Sequence, residues 1–148
     1  MNSSMHHLLL ADDDTDDCIF FKEALEELPV ASSLKTVYDG EELMNWLHLN
    51  YNNLPNALFL DLNMPRKSGL ECLEEIKTVS ELKNLPIIIF STSMDIDLVD
   101  TLYNNGAHYY IRKPGDFSVL KKVIHQVITT IDSNNFIKPS KDNFVLQS

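Results

Sequence analysis

At 148 residues with 44% apolar side chains, the chain has the length and composition of one soluble domain with a proper core. Its 12 Lys and Arg stand against 22 Asp and Glu, a net charge of −10 that phosphate backbones would repel, so DNA is not an expected partner. Cys18 and Cys72 lack metal-ligand spacing and read as reduced small apolar residues, no signal peptide precedes the first acids, and no run reaches transmembrane length, so a cytoplasmic protein with no membrane partner is expected.

Met1 to Met5 is polar and expected to fray. His6 to Ala11 reads as a first strand, followed at once by Asp12-Asp-Asp-Thr-Asp-Asp17. Asp14 or Thr15 can cap a helix to about Leu28, with Ile19, Phe20, Ala24, Leu25 and Leu28 as its buried stripe and Pro29 as its stop. Leu34 to Tyr38 is a second strand, Asp39-Gly40 a turn, and Glu41 to Leu49 a helix with Leu43, Trp46 and Leu47 inward. After a loop of Asn, Tyr and Pro, the wholly apolar Ala57 to Leu60 suits a strand buried on both faces, and it delivers Asp61 at its end. A third helix runs from Gly69 to about Val79 on Leu70, Leu73 and Ile76. Pro86 to Phe90 is another two-sided buried strand, ending in Ser91-Thr92-Ser93. Asp95 to Asn105 is a fourth helix closed by Gly106, and Ala107 to Arg112 a fifth strand ending in Lys113-Pro114. Asp116 or Ser118 caps a last helix through Ile131. Residues 132–148 form a polar tail with one apolar cluster, Phe144-Val-Leu146, expected to be disordered or to pack on a neighbour.

Strand and helix alternate through five units, which makes a parallel α/β sheet with helices on both faces. The C-terminal strand ends of such a sheet share one edge, where open α/β folds place their chemistry. Those ends carry Asp12 and Asp13, Asp61, Ser91 and Thr92, and Lys113. Crowded carboxylates raise one another's pKa unless a cation neutralises them. A hard divalent ion such as Mg²⁺ uses few carboxylates, so two acids plus a backbone carbonyl just after Asp61 make a suitable set. A lysine and a hydroxyl complete the parts that neutralise a phosphoryl group in transfer, and the remaining carboxylate, Asp61, is a nucleophile able to form an acyl phosphate. Taken singly each residue has a plainer reading: Lys113 as a surface lysine, Tyr110 as core, Ser91 and Thr92 as a strand end, the acidic run as a solvated turn. The run also imitates a calcium loop, but Asp17 stands where Gly is needed and a strand precedes it where a helix should. His6, His7, His48, His108 and His125 are scattered without ligand spacing.

The acidic pair after an apolar strand, Leu60-Asp61-Leu-Asn-Met-Pro65 with Ser68-Gly69, Ser91-Thr92, Gly106-Ala107 and Lys113-Pro114 occur in order over residues 6–131, and with them the chain resembles the receiver domain of two-component response regulators. The resemblance implies a flavodoxin-like (βα)5 sheet of strand order 2-1-3-4-5, with residues 132–148 as a tail and no output domain. It implies that Asp61 accepts phosphate and that Asp13 binds Mg²⁺ (or Mn²⁺) directly, Asp12 largely through water, and Asn63 through its backbone carbonyl. By the same resemblance Ser91 is the switch hydroxyl with Thr92 beside it, Lys113 binds the phosphate, Tyr110 is the switch aromatic, and Lys113–Pro114 is a cis peptide. The expected partner is a sensor histidine kinase or a phosphotransfer protein, as for stand-alone receivers served by phytochrome-type or other hybrid kinases. The readout is then a protein contact through the fourth helix, fifth strand and fifth helix, to a target or in a homodimer. The protein is therefore expected to be a signalling phosphoacceptor and not an enzyme with turnover. A haloacid-dehalogenase-type phosphatase would need a second Asp two residues after Asp61, where Asn63 stands.

Overall fold

The computed structural model describes residues 5–93, 95–132 and 137–146. Its elements are β1 (His6–Ala11), α1 (Thr15–Glu26), β2 (Ser32–Val37), α2 (Gly40–Leu49), β3 (Ala57–Leu60), α3 (Gly69–Thr78), β4 (Ile87–Ser91), α4 (Ile96–Asn104), β5 (Tyr109–Arg112), α5 (Phe117–Asp132) and β6 (Val145–Leu146). All strand pairs are parallel, in the order β2-β1-β3-β4-β5-β6. The chain steps outward from β1 to β2 and then returns to β3 on the other side of β1. The winding therefore reverses between β1 and β3, which opens a crevice at their carboxyl ends.

The apolar strand runs are continuous because alternate residues serve two different cores. Leu9, Leu58, Leu60, Ile87 and Ile89 face α2, α3 and α4 through Leu43, Leu47, Leu73, Ile76 and Leu102. Leu8, Leu10, Phe59, Ile88 and Phe90 face α1 and α5 through Phe21, Leu25, Leu120, Ile124 and Val127. Both cysteines are free and buried in these layers. On α1 the buried stripe is Cys18, Phe21, Ala24 and Leu25, whereas Ile19, expected inward, is 56% exposed. The helix is phased on Phe21, whose ring meets Phe59 at 4.9 Å and Phe90 at 5.6 Å, and that rotation turns Ile19 to solvent. The helix starts are capped as the sequence suggests, by Asp14 on the Asp17 amide and by Asp116 on the Val119 amide.

The C-terminal tail departs from expectation. Of residues 132–148, Ser133–Phe136, Gln147 and Ser148 lie outside the described residues, as do Met1–Ser4 at the other end. The rest extends the sheet: a 3-10 turn over Lys141–Asn143 leads into β6, parallel to β5. Phe144 is fully buried, with its ring 5.2 Å from Tyr103 and 6.3 Å from Tyr110. Its carbonyl accepts the Tyr110 amide at 3.0 Å. Lys138 lies 3.9 Å over the Tyr103 ring, the Tyr103 hydroxyl donates to the Pro139 carbonyl at 2.9 Å, and Lys141 pairs with Asp100 at 2.8 Å. The sheet therefore has six strands, the sixth pinned to α4 and β5.

His108, just before β5, is buried, and its Nδ1 accepts the Ile87 amide at 3.2 Å. Burial, reinforced by Lys77 and Lys138, pushes its pKa down to about 4. Between pH 6.5 and about 4 the unfolded chain then binds a proton at this site that the folded chain does not, so acidification removes stability. Relative to His108→Asn, whose amide oxygen can take the same hydrogen bond, the natural protein should lose about 1.4 kcal/mol per pH unit across that window in urea unfolding. A stability difference independent of pH would refute this reading.

Candidate functional site

The sheet register sets the strand ends side by side. Ala11 pairs with Leu60 and Ser91 with Arg112, so Asp12 and Asp61 leave adjacent strands, as do Thr92 and Lys113. The Asp12 amide donates to the Val37 carbonyl at 3.0 Å, the Asp61 amide to Ala11 at 2.9 Å, and the Lys113 amide to Ser91 at 2.9 Å. These bonds fix the backbone beneath each side chain.

Asp12 and Asp61 are buried and Asp13 is exposed, yet one carboxylate oxygen from each lies within 4.8 Å of the others. Asp12 Oδ1 accepts the Asp14 amide at 2.9 Å. Asp12 Oδ2 is buried without a hydrogen bond; its 2.8 Å contact with Lys113 Nζ is an ion pair and not an aligned hydrogen bond. A buried, under-coordinated carboxylate oxygen beside two more carboxylates fits a hard divalent cation. Lys113 Nζ also lies 2.8 Å from Asp17 Oδ2, 3.6 Å from Asp61 Oδ2, and 5.7 Å from the centroid of the Phe90 ring.

The charges act on one another. Burial first, then the Asp12 charge, push Asp61 up to about 6 against the opposing pull of Lys113 and the Asn63 and Leu62 amides. Burial likewise raises Asp12. Burial would lower the Lys113 pKa, but its contacts with Asp12 and Asp17 outweigh that and hold it above the usual lysine range. The pocket thus keeps a permanent cation among carboxylates that gain from a second positive charge.

Ser91 is fully buried at the end of β4, where its Oγ accepts the Ser93 amide at 3.3 Å; Thr92 beside it is exposed. Tyr110 is fully buried on β5, and its hydroxyl donates to the Ser93 carbonyl. Asn63 is exposed in the loop after β3. That loop is held by α3: Ser68 and Glu71 form a capping box at its start, and the Gly69 amide donates to Leu62 at 3.0 Å. A Cβ on Gly69 would lie 2.2 Å from the Asp61 carbonyl oxygen and 2.8 Å from Leu62 Cα, both backbone atoms. Gly69→Ala should therefore push the Asp61 loop off its seat and cost about 1–3 kcal/mol in chemical unfolding; unchanged stability would contradict so close an approach.

One expectation is corrected. The described residues contain no cis peptide bond, so Lys113–Pro114 is trans. Trans is the lower-energy X–Pro isomer by about 0.5–1 kcal/mol, and with it Lys113 already reaches Asp12, Asp17 and Asp61. Two contacts were not anticipated. Asp17, which the sequence places in the acidic run and at the glycine position of a calcium-loop imitation, pairs with Lys113, and Phe144 of the tail abuts Tyr110. The only sequence signal for either was an apolar cluster in a polar tail and a carboxylate one helical turn beyond Asp13.

A family model described as the response regulator receiver domain matches residues 8–125. The response regulator Rcp1 of Synechocystis is 32% identical over 124 residues, covering 81% of this chain and 84% of that protein. Among solved structures, the phosphorylated cyanobacterial phytochrome response regulator RcpA superposes with a TM-score of 0.79 at 32% identity, covering 93% of this chain and all of the other. The Mn²⁺-bound form of Rcp1 superposes with a TM-score of 0.75 at 30% identity, over 91% and 99% of the two chains.

Proposed function

Because the chain belongs to the response regulator receiver domain family, we propose that it is a phosphoryl-accepting switch whose acceptor is Asp61. A sensor histidine kinase or phosphotransfer protein presents a phosphohistidine in the cytoplasm. An Asp61 carboxylate oxygen attacks phosphorus, the P–N bond breaks, and its electron pair returns to the imidazole. Asp12, Asp13, Asp61 and the Asn63 carbonyl would hold Mg²⁺ or Mn²⁺, which when bound neutralises charge on the phosphoryl oxygens. The single observation that carries the reading is the convergence of Asp12, Asp13, Asp61 and Lys113 from separate strand ends on one pocket. The relatives named above support it, since one is described as phosphorylated and another as Mn²⁺-bound.

Each remaining residue has a role in this reading. Lys113 pairs with a phosphoryl oxygen, and the Ser91 hydroxyl, whose Oγ accepts the Ser93 amide, turns to donate to another. Thr92 and the Ser93 carbonyl move with Ser91, and Tyr110 follows because its hydroxyl is tied to that carbonyl. Residues 6–131 carry the switch, and 137–146 extend its sheet. The readout face of α4, β5 and α5 then has β6 as its rim, so a target protein or a second copy of the chain would meet Val145 and Leu146 where β5 would otherwise be the edge.

The test is incubation with acetyl phosphate and Mg²⁺, read by intact mass. One phosphoryl group should appear on the natural protein and none on Asp61→Asn, and chelation of the metal should prevent it. A natural protein that takes up none would overturn the reading.

A further inference from the structure

Lys113 has two short carboxylate contacts, and neither is with Asp61. Nζ is 2.8 Å from both Asp12 and Asp17 but 3.6 Å from Asp61. Asp12 is a buried strand-end residue whose carboxylate belongs to the three-acid cluster. Asp17 lies outside that cluster, in the first turn of α1, with a side chain 36% exposed and its amide on Asp14. An anion arriving at Asp61 must draw Nζ toward itself, and the contact free to yield is the one with Asp17.

Building on the phosphoryl-accepting reading, we propose that Asp17 is a positioning residue that anchors Lys113 in the resting pocket and thereby sets how readily Asp61 takes and keeps a phosphoryl group. The anchor does two things at once. It holds the ammonium 3.6 Å from Asp61, short of closing on a carboxylate that a divalent cation needs, and it competes with the anion for the same ammonium. Removing it should therefore move cation and anion affinity in opposite directions.

The experiment compares the full chain with Asp17→Asn, Asp17→Glu and Asp16→Asn. Asp16→Asn changes net charge identically from an exposed neighbouring position. Three readouts are Mn²⁺ binding alone by electron paramagnetic resonance, fluoroberyllate binding with saturating Mg²⁺ by calorimetry, and the rate of phosphoryl uptake from acetyl phosphate. Asp17→Asn should bind Mn²⁺ about fivefold more weakly, because Lys113 closes from 3.6 Å onto Asp61, and fluoroberyllate about fivefold more tightly, with uptake faster by a similar factor. Asp17→Glu, which restores the charge, should return toward the natural protein, and Asp16→Asn should stay near it. Equal effects of Asp16→Asn and Asp17→Asn would make the field of the acidic run responsible and overturn the proposal, as would unchanged affinities in Asp17→Asn. Should the natural protein accept no phosphoryl group, the functional reading fails; the Mn²⁺ measurement still decides whether Asp17 holds Lys113. The Asn side chain leaves the Asp17 amide on its Asp14 cap, and equal urea midpoints for the variants would show that the fold is retained.

Discussion

Asp61→Asn is expected to make the metal-free protein more stable while removing its capacity to accept a phosphoryl group. Asp61 sits 4% exposed beside the buried Asp12, and burial with that neighbouring charge raises it from 3.8 to about 6. For a carboxylate raised in the fold the sign is unfavourable: above pH 6 both states are ionised and the folded one bears the full cost. That cost fades as pH falls from 6 toward 3.8, where the folded carboxylate protonates first. The shift, which already sets the attraction of Lys113 against burial and the Asp12 charge, corresponds to at most roughly 3 kcal/mol, so a gain of about 1–3 kcal/mol is expected at neutral pH. Urea unfolding in the presence of a chelator, from pH 7 to pH 4, should show the gap between variant and natural protein narrowing with acidification. A variant less stable than the natural chain at pH 7 would mean that Lys113 already satisfies Asp61. The two readouts have opposite signs because a site built to attract a cation and a phosphoryl group is under electrostatic strain without them.

Phe144→Ala should be a severely damaging truncation although it lies outside the central strands. The ring is wholly buried and packs edge-on against Tyr103 and Tyr110, and its removal from such a site costs about 3–5 kcal/mol. The strand that follows it has only two residues, so it has little else to hold it in place. The damage should therefore be local before it is global. In hydrogen exchange the Tyr110 amide, bonded to the Phe144 carbonyl, should lose most of its protection while the amides of β1 and β3 keep theirs. Uniform loss across the sheet would show that β6 and the centre of the sheet open as one unit. A Tyr110 amide as protected as before would show that the polar contacts of Lys138, Tyr103 and Lys141 suffice to hold the strap.

What could be read in advance follows from what each feature depends on. Asp12, Asp61, Ser91 and Lys113 were legible because two-sided apolar runs fix where strands end, and parallel winding brings strand ends to one edge. The phase of α1 was not, since Ile19, Phe20 and Phe21 are three adjacent apolar residues and only the aromatic cluster of Phe59 and Phe90 selects Phe21 for the interior. The Asp17–Lys113 contact joins residues far apart in sequence through side-chain reach, which no local pattern encodes. The sixth strand escaped because three apolar residues in a polar stretch carry no periodicity; the gap they fill, between Tyr103 and Tyr110, exists only once α4 and β5 have packed.

The six-stranded order leaves β2 and β6 at the rims of the sheet. β2 is Ser-Ser-Leu-Lys-Thr-Val, with Ser33 and Lys35 turned to water, a poor template for a foreign strand. At the other rim β6 offers only two residues, too few to nucleate stacking, and it masks the far more adhesive Tyr109–Arg112. Chains cut after Asp132 would bare that segment and should self-associate on storage. Preparations meant to represent the molecule must therefore keep residues 137–146.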